Sequence, residues 1–151
     1  MDNMDRIERE IAIDASASRV WGLISQPGWY INNGEITEQR IEQRGDLQVV
    51  HHAEYGEFAF RTVELDEPKY AAFRWLIDKD DTDSTSTLVE FWIEETAPDA
   101  VLLRVAESGF ESLSESAEQR RARFDDHADG WTKEIALAAK HLAQVGADAD
   151  R

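Results

Sequence analysis

Apolar residues recur at steps of four and three over the last part of the chain: Phe124, Ala128, Trp131, Ile135, Ala138, Leu142 and Val145. That spacing predicts a helix from Ser116 to Val145, with Asp125, Asp126, Asp129, Lys133, Glu134 and Lys140 on its opposite side. Such a helix is roughly 40 Å long, and its apolar stripe cannot stay in water. It needs a partner surface of similar length. Ala128 and Ala138 stand on either side of Trp131, and Gly130 is beside it. Small residues around one large one imply either close backbone packing or an unfilled space.

The chain before this helix reads mostly as strands. Arg6–Ile13 alternates, with Ile7, Ile11 and Ile13 on one face and Glu8 and Glu10 on the other. Asp14-Ala15-Ser16 supplies capping side chains for a short helix carrying Val20, Trp21, Leu23 and Ile24, stopped by Gln26-Pro27-Gly28. Trp29, Tyr30 and Ile31 follow in a turn or second short helix that ends at Asn32-Asn33-Gly34.

Ile36–Gln43 is mostly polar and suits a sheet edge. In Leu47–Glu54, Leu47, Val49 and His51 share the apolar face, and Gln48, His52 and Glu54 share the other. Glu57–Leu65 changes phase between Phe58 and Phe60 and Val63 and Leu65, which a bulge would reconcile. Tyr70–Asp78 aligns Phe73, Trp75 and Ile77, and Lys79–Ser86 is an acidic loop. Thr87–Glu95 points Val89, Phe91 and Ile93 inward. Val101–Ser108 does the same with Val101, Leu103, Val105 and then Glu107.

Hairpin connections imply one antiparallel sheet covered by the long helix. The predicted fold is a single α+β domain over residues 1–151, core roughly 6–145, with about seven strands wrapped on the last helix. One helix cannot fill the hollow of so large a twisted sheet. A partly empty interior lined by aromatics follows, and such cavities are the usual small-molecule sites.

Composition narrows the chemistry. The 151 residues include no cysteine, which excludes disulfides, thiol nucleophiles and zinc–thiolate sites. A net charge of −16, from 32 acidic against 16 basic residues, argues against nucleic-acid phosphates as partners. The opening MDNMDRIERE has no apolar run, and no stretch has the length of a membrane span, so no secretory signal or membrane insertion is expected and the reading is cytoplasmic.

Ile13-Asp14-Ala15 through Val20-Trp21, Glu67-Pro68 with Phe73-Arg74-Trp75, Glu107-Ser108-Gly109-Phe110, His127 and Gly130-Trp131 occur in that order. In this the chain resembles the START-like (SRPBCC) superfamily of helix-grip domains, and in particular its branch named for activators of the heat-shock-protein-90 ATPase. The resemblance runs from about Ile7 to Leu142. It implies a sheet gripping the last helix, with two short helices after the first strand and a hydrophobic cavity between sheet and long helix. Co-chaperones of that name carry a second domain, which is not expected within these 151 residues.

Candidate ligand-binding residues are Trp21, Trp29, Tyr30, His51, Trp75, Phe91, Glu107, Phe110 and Trp131. Trp75 and Trp131 would form apolar walls, His51 and Glu107 would orient a ligand, and Trp29-Tyr30 would form a lid. Each aromatic could equally be plain core. Glu107, placed inward, could pair with Arg61 or Arg74, or lie beyond the strand end in solvent. The predicted partner is a small apolar molecule, aromatic or lipid-like; its identity and any protein partner are open, and no catalytic residue, cofactor or metal is assigned. His52 and Glu54 lack a third ligand for a metal. Two alternatives stand beside this reading: a cyclase- or hydrolase-like enzyme using Glu107 with His51, and a co-chaperone-type protein-binding module.

Overall fold

The computed structural model describes residues 5–32 and 34–149, with side chains as far as 143. Asn33 and the side chain of Val145 lie outside the described residues. The elements are β1 (Arg6–Ile13), α1 (Ala17–Ile24), β2 (Arg40–Arg44), β3 (Leu47–His52), β4 (Gly56–Asp66), β5 (Tyr70–Leu76), β6 (Ser86–Ala97), β7 (Ala100–Ser108) and α2 (Ala117–Ala149). A single 3-10 turn, Phe110–Ser112, links β7 to α2.

All seven strands form one antiparallel sheet in the order β1-β7-β6-β5-β4-β3-β2. The polar strand β2 is at one edge, where a half-paired backbone tolerates solvated side chains. The expected bulge is present: pairing of β4 with β5 shifts between Thr62 and Glu64, which leaves Val63 and Leu65 exposed.

α1 starts where Ser16 Oγ accepts the backbone N–H of Arg19 at 3.3 Å. Residues 25–30 then form turns, so among the described residues one short helix follows β1, where two were expected. Gly28 explains the path. Its φ is +72°, and a Cβ there would lie 2.9 Å from Val50 Cγ2 and 3.0 Å from Phe60 Cε2. The absence of a side chain lets this turn sink against β3 and β4 and carries Trp29 and Tyr30 into the hollow of the sheet.

α2 opens with a reciprocal cap. Ser116 Oγ accepts from Gln119 N at 3.1 Å, and Gln119 Oε1 accepts from Ser116 N at 3.0 Å. The helix crosses the sheet near β1, where Arg9 donates to Thr132 Oγ1 at 3.0 Å and to the Ala128 carbonyl at 3.1 Å. Nearer its other end, Arg19 of α1 donates to the Leu142 carbonyl. Trp131, Ile135, Ala138 and Leu142 are buried as the stripe predicts. Among the described residues, no helix is long and apolar enough to cross a membrane.

One strand runs in the phase opposite to that predicted. β3 pairs Val50 with Phe58 and Gln48 with Phe60, so Val50 joins the main core. Leu47, Ala59 and Leu76 form a separate cluster on the outer face, and His51 lies on that face too. β3 carries apolar residues on both faces, so alternation alone leaves its phase undefined.

Candidate functional site

The hollow between sheet and α2 is divided in two. Its deeper part is filled by aromatic side chains. Trp29 lies 5.7 Å from Phe91, Tyr30 lies 5.9 Å from Phe60 and 4.6 Å from Trp131, and Phe73 lies 6.4 Å from Phe91, all between ring centroids. Trp29 and Tyr30 are buried, 4% and 5% exposed. They plug the hollow instead of covering its mouth. The hydroxyl of Tyr30 and the indole N–H of Trp29 find no hydrogen-bond partner among the described residues. Burial, then the nearby Glu107 charge, pushes the Tyr30 phenol well above its ordinary range.

The remaining space is a cleft of about 860 Å³ between β4–β5, residues 30–32 with Gly34, and the middle of α2. Its apolar walls include Tyr30, Phe58, Trp75, Ile77, Trp131 and Leu137. Polar groups border it on α2 (Arg123, Asp126, His127, Lys133 and Glu134) and on the turn (Asn32). That volume suits a small organic ligand. Gly130 also lines it, and a Cβ at that position would meet nothing within 4 Å.

Behind the cleft wall stands Glu107, fully buried. A carboxylate so placed is tolerable only if its oxygens are satisfied. Three donors from two other elements do this. Thr87 Oγ1 of β6 donates to Oε2 at 2.6 Å, and Trp131 Nε1 of α2 donates to Oε1 at 2.8 Å. His127 Nδ1, one helical turn before Trp131, lies 2.8 and 3.0 Å from the two oxygens. The His127 ring stacks on Trp75 at 4.7 Å with an 18° interplanar angle, and Phe110 meets it edge-on at 5.7 Å. The arrangement fixes one edge of the imidazole against the core and brings its other edge to the cleft.

Of the nine candidate ligand residues, Tyr30, Trp75 and Trp131 line the cleft. Trp21, Trp29, Phe91 and Phe110 are buried core, and Glu107 lies one layer behind. His51 is the correction. Its inverted strand phase puts it on the outer face, with Nε2 3.0 Å from Glu42 and Nδ1 3.2 Å from Glu57. Arg44 and then His51 hold the Glu42 carboxyl down at about 2. Since Glu107 and His51 occupy opposite faces of the sheet, they cannot act as an acid–base pair.

Arg61 pairs with Asp46 at 2.7 Å, so it does not neutralise Glu107. His52 Nδ1 accepts the backbone N–H groups of Glu54 and Tyr55, both at 3.0 Å. Among the described residues no three His, Cys, Asp or Glu side chains gather around a possible metal position.

His127 was the site residue that periodicity alone did not single out. It is four positions before Trp131, so both project from α2 at neighbouring turns. Thr87 extends the inward register of Val89, Phe91 and Ile93, and that phase was the available signal.

Glu134 also departs from its expected place on the solvent side. It borders the cleft, where Asn32 Nδ2 donates to its Oε1 at 3.2 Å. Burial raises its carboxyl to about 7 from the ordinary 4.5. In that range the folded state holds a proton the unfolded chain has released. The associated stability is full below about 4.5 and is lost as pH rises through about 7. Discounted for partial exposure, removing the charge should be worth about 1–2 kcal/mol. Glu134→Gln should therefore resist urea more than the parent at pH 8 and about equally at pH 4. The same stability difference at both pH values would count against this.

The sequence matches no family model and no curated protein. Solved structures do match. A Nitrosomonas europaea protein superposes with a TM-score of 0.67 at 14% identity, covering 97% of this chain and 99% of that one. A Mesorhizobium loti protein gives 0.65 at 17% identity, over 92% and 97%. A START superfamily protein from Mycobacterium smegmatis gives 0.59 at 16%, over 91% and 99%. These likenesses concern architecture. Seven antiparallel strands closed on one long C-terminal helix make this chain a helix-grip, START-like fold.

Proposed function

We propose that the protein binds a small, largely apolar molecule, aromatic or lipid-like, in the cleft between β4–β5 and α2. One observation carries this reading. A space of about 860 Å³ remains beside Trp75 and Trp131 after the protein's own aromatics have filled the deeper hollow. A protein-binding module of co-chaperone type would be favoured by a packed interior, and the cleft weighs against that. The motif residues around Glu107, His127 and Gly130-Trp131 favour the activator-like branch of the superfamily. A cytoplasmic site of action fits the acidic, cysteine-free composition. Binding itself requires no catalysis.

Gly130→Leu provides the test, because its side chain enters open space and replaces a helix-interior glycine. The change should raise helix stability by about 0.5–1 kcal/mol while filling the cleft. Native mass spectrometry of the parent isolated from its own cells should show a bound small molecule, absent from Gly130→Leu prepared alike. A parent without added mass, or a variant that keeps it, would count against the reading.

A further inference from the structure

The cleft wall contains one polar atom whose role is set by the core behind it. Glu107 receives the Trp131 N–H, which can only donate, and the Thr87 O–H. His127 Nδ1 faces both oxygens of this carboxylate, so the hydrogen-bond pattern assigns the ring proton to Nδ1. In the neutral ring, Nε2 is then a lone-pair acceptor. Nε2 has no partner among the described residues and is not among the sealed, unpartnered atoms. The Trp75 stack and the Phe110 edge contact keep the ring from turning this atom away.

The other polar groups at the cleft are largely committed. Arg123 is held by Glu115 at 2.5 Å, Lys133 by Asp129 at 2.8 Å, and Asn32 by Glu134 and the Trp29 carbonyl. Asp126 is an exposed rim carboxylate. At the aromatic end, the available group is an acceptor set among ring faces.

We propose that the cleft selects molecules whose apolar, ring-like body carries a hydroxyl, which donates its proton to a hydrogen bond with His127 Nε2. This rests on the cleft being a ligand site and adds the chemistry it selects. Glu107 acts through His127 as a positioning residue. An acceptor in an apolar wall rejects a ligand of matching shape that brings no donor, because its hydrogen bond to water is lost without replacement.

The probes are β-naphthol and its methyl ether, which share a ring body and differ in the donor. Calorimetric titration of the full chain should show the naphthol binding about tenfold tighter, the equivalent of one hydrogen bond. His127→Phe keeps a ring over Trp75 and should bring the two affinities together, weakening the naphthol and relieving the penalty on the ether. Glu107→Gln can donate an amide N–H to Nδ1, which moves the ring proton to Nε2 and should likewise erase the preference. A merely structural role for either residue would weaken both probes alike. Should His127→Phe not fold, Glu107→Gln carries the comparison. Equal binding by the parent, or a preference that survives in the folded variants, overturns the hydroxyl assignment and leaves the ligand site standing. No binding of either probe, or binding unchanged in Gly130→Leu, removes the ligand site and this inference with it.

Discussion

Glu107→Leu should lower the unfolding free energy by about 3–5 kcal/mol, because several buried donors lose their common acceptor at once. Leucine approximates the volume, so the effect is not mainly a cavity. It strands the Thr87 hydroxyl, the Trp131 indole N–H and the His127 Nδ1–H inside the protein without an acceptor. Each unsatisfied donor costs about 1–3 kcal/mol, and the three costs overlap because the groups can shift together. Glu107→Gln retains an acceptor and should lose less. Urea denaturation at constant pH measures both. A loss below about 1 kcal/mol for the leucine variant would mean that water or a neighbour replaces the carboxylate, contrary to its complete burial.

Trp131→Ala should cost a similar amount, about 3–5 kcal/mol. The residue is 3% exposed and packs against Tyr30 at 4.6 Å and Phe91 at 5.9 Å. It also forms part of the cleft wall and supplies one of the donors to Glu107. Its truncation therefore has two coupled effects, an enlarged cleft and a weakened core. Trp131→Phe keeps one aromatic ring in the core while losing the indole N–H and part of the ring volume, and should cost less, about 2–3 kcal/mol. Combining Trp131→Ala with Glu107→Leu should cost less than the sum, because the indole donor stranded by the second change is already gone. Additive losses in thermal and urea unfolding would show that the two residues act independently.

Much of the architecture could be read from local patterns. The period of α2, the alternation of β1, β6 and β7, and the phase change in β4 each depend on near neighbours in the chain. The inward placement of Glu107 was also legible, because it continues Val101, Leu103 and Val105. Its partners were not. Arg61 offered the stronger charge, but it belongs to the outer face and reaches Asp46. His51 looked inward because Leu47 and Val49 flank it, while Val50 and the paired Phe58 decide the phase in the other direction.

The candidate site shows the same division. Aromatic richness identified the residues that occupy the hollow, and Tyr30, Trp75 and Trp131 do reach the cleft. Composition could not tell which aromatics would fill space and which would border it. That depended on the Gly28 turn, which brings Trp29 and Tyr30 inward against β3 and β4.

By itself the sequence determined the strands, the long helix, their order and the apolar face of most of them, since side-chain periodicity is a property of neighbouring residues. Only the tertiary structure decided the phase of β3, the partners of Glu107 and the position of the cleft. Those depend on strand register and on hydrogen bonds between residues some twenty positions apart, which no local period records.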